Sequence, residues 1–254
     1  MIKNKYFILI ILTILCQTNK KAEAQTLSAS DIVKKSYDIM QGNSSESWIT
    51  IEIVRPTWQR TLKVHSWAKG KDYSMAVITF PPKEKGQSFL KRKNDIWNWQ
   101  PSIQRMIKLP PSMMSEGWMG SDFSNDDLLK ESSIVDDYQH TLLGTEKINQ
   151  TECYKIKLTP KPEVAVVWGY IIKWISKDMV LQLKSEYYDE EGALIKTETA
   201  YEIKNMNGRT IPTKFELIPA DKNNHKTIVV LEKVLFDIPI NDNFFSQQNM
   251  KNIK

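Results

Sequence analysis

The sequence predicts a mainly β protein: one strongly curved antiparallel sheet of about 11 strands, with two short helices over its open side. The first observation is a long succession of segments in which apolar and polar residues alternate, joined mostly by short turns. The second is that a sheet with so many strands tends to curl. The third is that the segments 73–80, 171–175 and 228–236 carry apolar residues on both faces, as strands that line a cavity do.

A helix is predicted over residues 28–40, before the strands begin. Ser30 is the expected N-cap, and Gly42 is expected to end the helix. Apolar side chains recur on one side of it at helical spacing: Ile32, Val33, Tyr37 and Met40.

The strands of the first half are predicted at 48–55, 60–69 and 73–80, followed by three short ones between residues 87 and 109. In the second half, hairpins are expected across Asn149-Gln150 and Lys177-Asp178. Asn207-Gly208 is the strongest short hairpin signal in the chain, and the last long strand is predicted at 227–236.

The central segment 112–130 is the stretch between the strands that does not itself have a strand pattern. Its second half predicts a helix start, because Ser124 can cap the backbone N–H of Asp127 and Asp127 can reach back. Phe123 precedes the cap, and Leu128 stands where its apolar staple partner is expected.

The first half of the same segment is a soft apolar loop between glycines and prolines. Two interpretations remain open: the loop plugs the end of an ordinary β core, or it is a lid that faces a ligand. Its large side chains are Met113, Met114, Trp118 and Met119.

Residues 1–24 have the pattern of a signal peptide, with Lys3 and Lys5 before a short apolar run and Ala22-Glu23-Ala24 as the cleavage signal. Cys16 raises the alternative of a lipid anchor, although Leu15 is large where lipoprotein processing favours a small residue. Residues 25–254 are expected to form a single domain, exported to the periplasm.

The charge and cysteine content narrow the function classes. The leader contains four lysines and one glutamate, so the chain beyond it has a net charge of +2, which does not suggest nucleic-acid binding. Cys153 is then the remaining cysteine and cannot form an internal disulfide, so we expect a small buried side chain.

The sequence contains no recognisable catalytic or metal-binding motif. The three histidines have no paired ligand spacing. An EF-hand reading of the acidic run fails, because Asp127 and Ser133 stand where the loop requires glycine and glutamate. The sequence therefore predicts no catalytic residue, metal or cofactor, and a protein that is not an enzyme.

Tryptophan and methionine are concentrated in the first half of the chain. Such side chains suit either a normal core or a pocket for acyl chains, and composition leaves both open. The set includes Trp48, Trp58, Trp67, Met75, Trp97, Trp99 and Met106.

The segment Ser115-x-x-Trp118-Met119-Gly120-Ser121-Asp122-Phe123-Ser124-Asn125-Asp126-Asp127-Leu128 resembles the signature of the outer membrane lipoprotein-sorting protein family, which is similar in fold to LolA and LolB. The order of the surrounding segments fits over essentially the whole chain after the leader. The resemblance implies an unclosed β-barrel with helices over a hydrophobic cavity, residence in the periplasm, and handling of a lipid or an acylated lipoprotein. It brings no catalytic residues.

The main hypothesis is a monomeric periplasmic carrier with peripheral membrane contact and an inner-membrane transporter as a candidate partner. The expected cavity wall is Trp48, Trp67, Trp97, Trp99 and Met106. The expected lid, onto which the family's loop maps, is Met113, Met114, Trp118, Met119 and Phe123.

Two alternatives belong to other classes. An interaction module that docks on a transporter and carries nothing predicts a filled core beneath Trp118. A hydrolase is disfavoured, because no nucleophile–base pair can be recognised.

Overall fold

The structure is a computed structural model and describes residues 27–93, 95–129, 134–164 and 166–253, apart from the side chains of Leu128 and Leu129. The predicted leader, Cys16 and the contact expected between Phe123 and Leu128 lie outside this description.

The described chain contains three α-helices and thirteen strands, which are labelled here in chain order. The helices are α1 (Ala29–Gln41), α2 (Asn125–Leu129) and α3 (Gln247–Asn252). The strands are β1 (Ser44–Val54), β2 (Gln59–Lys69), β3 (Tyr73–Phe80), β4 (Ser88–Arg92), β5 (Asp95–Gln100), β6 (Arg105–Lys108), β7 (Tyr138–Ile148), β8 (Thr151–Pro160), β9 (Tyr170–Ser176), β10 (Gln182–Tyr188), β11 (Leu194–Met206), β12 (Arg209–Pro219) and β13 (Lys226–Phe236). Short 3-10 turns occur at Pro111–Met113, Trp118–Gly120 and Asp242–Phe244.

All thirteen strands belong to one antiparallel sheet, in the order β6-β5-β4-β3-β2-β1-β13-β12-β11-β10-β9-β8-β7. Strands that are consecutive in the chain are neighbours in the sheet, except β6 and β7. Strand β1 also pairs with β13, and this pairing joins the two halves of the chain. The sheet is not closed, because β6 and β7 are its two edges among the described strands. The predicted mainly β, unclosed fold is confirmed, with thirteen strands among the described residues rather than about eleven.

The segment between β6 and β7 connects the two edges of the sheet, so it must cross the open side. We call its described residues, 109–129 and 134–137, the crossing segment; it contains the family-like motif and α2. The face of the sheet beneath the crossing segment and α1 is the inner face, and the opposite one is the outer face.

Helix α1 differs from the prediction in its cap. Ser28, not Ser30, is the N-cap: its Oγ accepts a hydrogen bond from the Asp31 N–H (3.1 Å), and Asp31 Oδ2 accepts from the Ser28 N–H (3.2 Å). The reciprocal bonds form a capping box, which Ser30 cannot form because it lies inside the first turn.

The outer face of β2–β5 has its own apolar cluster. Cross-strand register aligns Trp67, Met75, Leu90 and Trp97 in one row. The C-terminal segment covers this row with Phe245 and Met250, both fully buried, and the Ser88 Oγ donates to the Met250 carbonyl (2.6 Å). Helix α3, which the sequence did not predict, therefore completes an outer core.

Candidate ligand-binding cavity

A cavity of about 350 Å³ lies between the inner face, α1 and the crossing segment. Strands from both halves of the sheet line it, including β1–β4 and β9–β13, so the sheet curves around it. Helix α1 contributes Val33, Tyr37 and Met40, and the crossing segment contributes Trp118 and Phe123. Its volume is within the range of pockets that hold small ligands.

Small side chains create much of this space. On β1 to β3 the positions that face the cavity alternate with outward-facing ones, as expected for a strand period of two. The small residues at these positions are Ser45, Ser47, Ser66, Ala68, Ser74 and Ala76. A row of small residues under a helix leaves a gap that larger side chains would fill.

The crossing segment is fastened to β1 and β13 through Asp122. The Asp122 carboxylate accepts hydrogen bonds from the Arg55 guanidinium (3.0 Å) and the Thr227 hydroxyl (2.7 Å), and the ion pair is buried. Arg55 also donates to the Gly120 carbonyl (2.8 Å). Gly120 has φ +78°, a backbone conformation that favours glycine, so the motif's glycine has a local structural reason.

A second fastening joins α2 to β11. The predicted capping box is confirmed: Asp127 N–H donates to Ser124 Oγ (3.1 Å), and Ser124 N–H donates to Asp127 Oδ2 (2.6 Å). The Asp127 carboxylate also pairs with the Lys196 ammonium and accepts from Trp168 Nε1 (3.1 Å). Asp127 therefore both starts the helix and attaches it to the sheet.

Trp118 belongs to the core and to the cavity wall at once. It is 4% exposed and packs against Phe89 with ring centroids 5.4 Å apart. Met114 is buried in the same cluster, and Met119 packs at its margin. Met113 is half-buried, and its carbonyl accepts from the Asn125 side chain (2.9 Å).

The structure brings together only part of the residue set that the sequence singled out for the cavity. Trp118 and Phe123 line it. Trp67 borders it, although its ring packs against Phe244 (5.3 Å) on the outer face. The structure does not bring the other wall residues to the cavity: Trp97, Trp99 and Met106 pack in the outer cluster with Phe245, and Trp48 stacks on His65 (4.4 Å).

The physical reason is strand alternation. Trp97 and Trp99 share a face because they are two residues apart, but alternation alone does not tell which face becomes the inner one. That choice depends on where α1, the crossing segment and α3 pack.

A polar row on the inner face was missed by the sequence analysis. Register places Lys173 of β9, Ser185 of β10 and Glu198 of β11 side by side. The Lys173 ammonium donates to Gln182 Oε1 and to Ser185 Oγ (3.3 Å), and Gln182 Nε2 donates to Glu198 Oε1 (2.8 Å). A charged residue at an inward position of an otherwise apolar strand is the signal that could have revealed the row.

Burial shapes the electrostatics of two side chains in the cavity wall, Glu198 and Tyr138. Burial raises the pKa of Glu198, despite the opposing charges of Lys173 and Lys196. Burial, reinforced by the charges of Asp126 and Asp127, also raises the pKa of the Tyr138 hydroxyl.

Among the described residues, no cluster of three or more histidine, cysteine or acidic side chains has the arrangement to hold a metal ion. In the same part of the chain, no helix is both long and apolar enough to cross a bilayer.

Comparison with protein families gives one match. A family model described as "-like: Uncharacterized protein" matches residues 70–252, most of the chain. No curated protein matches the sequence of this chain.

Three solved structures are similar in fold. A DUF1329 family protein from Desulfovibrio piger is 22% identical, with a TM-score of 0.80 over 87% of this chain and 97% of that one. A LolA superfamily protein from Nitrosomonas europaea is 23% identical (TM-score 0.76; 87% and 99% covered). A putative outer membrane lipoprotein-sorting protein domain from Vibrio parahaemolyticus is 19% identical (TM-score 0.78; 88% and 100% covered).

Proposed function

The chain belongs to the family of uncharacterized proteins whose model matches residues 70–252, its fold is that of the LolA superfamily, and we propose that it is a carrier for lipids or for the acyl chains of lipoproteins. We place it in the periplasm, with the predicted leader 1–24 as its export signal. The carrier works without catalysis, in lipoprotein sorting or as an accessory to an envelope transporter.

The observation that carries this proposal is the cavity between the inner face, α1 and the crossing segment. Apolar side chains form part of its wall: Ile49, Ile51 and Val64 on the strands, and Trp118 and Phe123 on the crossing segment. An apolar enclosure of this kind favours acyl chains, because each buried methylene contributes about 0.8 kcal/mol.

The position of the cavity also supports the proposal. It lies where a chain crosses between two sheet edges, and that crossing is held by side-chain contacts from Asp122 and Asp127 rather than by strand pairing. A segment attached in this way can separate from the sheet without breaking the backbone ladder, which gives cargo a route in and out.

The docking-module alternative predicts a filled core beneath Trp118. The open space beside Trp118 supports the carrier instead. The burial of Trp118 against Phe89 is the feature that the two hypotheses share, so a substitution of Trp118 alone does not distinguish them.

The test is native mass spectrometry of the protein purified from a bacterial periplasm, with uptake of a fluorescent fatty acid as the second measurement. We expect a bound lipid or acylated peptide and saturable uptake. In the variant Ser66→Phe, a phenyl ring should occupy the cavity and abolish both.

The matched control is Lys63→Phe, which adds the same ring to an exposed position on the outer face of the same strand. It should leave cargo and uptake unchanged. A clean apo mass together with no uptake by the wild-type protein would reject the carrier and favour the docking module.

A further inference from the structure

The polar row that contributes Lys173, Gln182 and Glu198 to the cavity wall is not needed to hold acyl chains. Isolated charges in an apolar enclosure are unfavourable unless they are paired, so their presence calls for a role beyond apolar binding. The row consists of Lys173, Gln182, Ser185 and Glu198, and Lys196 lies one inward-facing position away from Glu198 on β11.

The two lysines direct their ammonium groups toward acceptors within the protein. Lys173 is 4% exposed and donates to Gln182 and Ser185, and Lys196 is 3% exposed and pairs with Asp127. The ring of Trp168 lies 4.4 Å from the Lys196 Nζ and further encloses it. These cations therefore stabilise the sheet and the crossing segment.

Glu198 differs from both lysines. It lies deep in the molecule yet retains partial exposure, because the surface it exposes is the cavity wall. Its Oε1 accepts from Gln182 (2.8 Å), whereas its Oε2 accepts no hydrogen bond from the described residues. Glu198 Oε2 is thus available to accept a hydrogen bond from a ligand.

We propose that Glu198 is the headgroup anchor of the cavity and binds a hydrogen-bond donor, a hydroxyl or an ammonium group, on an amphiphile whose chain occupies the apolar part. This inference rests on the proposed carrier function and specifies its cargo class. An ionised carboxylate or phosphate headgroup fits poorly, since it would bring a second acceptor to Glu198.

The polar row fixes the position of the anchor. Gln182 connects Glu198 to Lys173, so the carboxylate is held on a rigid three-strand platform rather than on a loop.

The test uses three amphiphiles with the same twelve-carbon chain: dodecanol, dodecylamine and laurate. Each is titrated below its aggregation concentration by displacement of an apolar dye from the full protein. We expect dodecanol or dodecylamine to bind at least about tenfold more tightly than laurate, the ratio expected for one hydrogen bond to a charged group. Comparison of the alcohol with the amine then identifies the donor.

The variant Glu198→Gln keeps the shape and removes the charge. It should weaken binding of the preferred donor about tenfold and should not weaken binding of laurate, because the charge that opposes the laurate carboxylate is removed. Glu202→Gln, an exposed position on the same strand, is the matched control and should change nothing.

The outcomes separate the two proposals. If all three amphiphiles fail to bind, the carrier function fails and this inference with it. If they bind and laurate is as tight as the donors, or if Glu198→Gln leaves the donor preference intact, the headgroup assignment alone is wrong. The preference of the wild-type protein decides the question even if the variant does not fold.

Discussion

The Arg55 guanidinium lies 3.0 Å from the Asp122 carboxylate, and both side chains are less than a tenth exposed. This buried pair joins the end of β1 to the crossing segment. Asp127 of the crossing segment pairs in turn with Lys196 on β11. The open side of the sheet is thus bridged by two ion pairs that attach to opposite halves of the chain.

Breaking the first pair should destabilise the protein strongly. Asp122→Ala leaves a buried guanidinium without its partner, so we expect a loss of about 3–5 kcal/mol in the free energy of unfolding. Urea denaturation is the measurement. Asp95→Ala, which breaks the exposed pair with Lys108, is the control and should cost at most about 1 kcal/mol. Equal losses in the two variants would contradict the bridging role of Asp122.

Substitutions of apolar residues on the inner and outer faces of the sheet should have different effects on probe binding and on stability. Phe123→Ala removes a ring from the cavity wall and should weaken acyl-probe binding about tenfold, from the lost burial of the ring. Phe245→Ala empties the outer core and should cost about 3–5 kcal/mol of stability, with unchanged probe affinity in the folded protein. A loss of probe affinity in Phe245→Ala would show that the outer cluster also contributes to binding.

The stability of the protein should depend on pH through Glu198. Burial raises the pKa of Glu198 above its ordinary value of 4.5. The positive charges of Lys173 and Lys196 oppose this increase, and the negative charge of Asp127 adds to it. Between 4.5 and the folded pKa, the folded state holds a proton that the unfolded state has released, so the free energy of unfolding falls as pH rises through this window. Above the pKa that Glu198 has in the folded state, this decrease in the free energy of unfolding is complete.

Glu198→Gln removes this penalty, so the variant should be more stable than the wild type near pH 8, with a smaller difference near pH 4.5. Thermal unfolding at the two pH values measures the effect in ligand-free protein. Glu202→Gln should show no such gain, because Glu202 is exposed and its pKa is lowered by Lys204. A difference independent of pH would contradict the buried-carboxylate account.

The capping box of α2 should contribute measurably to stability. Ser124→Ala removes the acceptor for the Asp127 N–H and should cost about 1 kcal/mol in urea denaturation. Ser115→Ala, an exposed position in the same segment, should be nearly neutral. If Ser124→Ala were also neutral, the attachment of Asp127 to Lys196 would be sufficient to position the helix.

The features predicted correctly are those that depend on local spacing. Alternation indicated the strands, and the Ser124–Asp127 spacing indicated the start of α2, because a capping box involves residues three apart. The cap of α1 was placed two residues late, since Ser28 and Ser30 are both good caps and only Ser28 has Asp31 three residues on.

Features that depend on the faces of the sheet could not be read in the same way. Trp97, Trp99 and Met106 were expected in the cavity wall, but they pack on the outer face with Phe245 and Met250. The partner that covers them comes from the far end of the chain, and a short helix such as α3 has too little periodicity to be recognised.

The sequence by itself determined the strand meander, the turns, the crossing segment's composition and the cap of α2, because these depend on period and on neighbours a few residues apart. Only the tertiary structure decided that β1 pairs with β13, that the crossing segment lies over the open side, and that Glu198, Gln182 and Lys173 meet at the cavity. The reason is physical: strand period assigns residues to two faces, whereas the pairing of distant strands determines which face closes around a cavity.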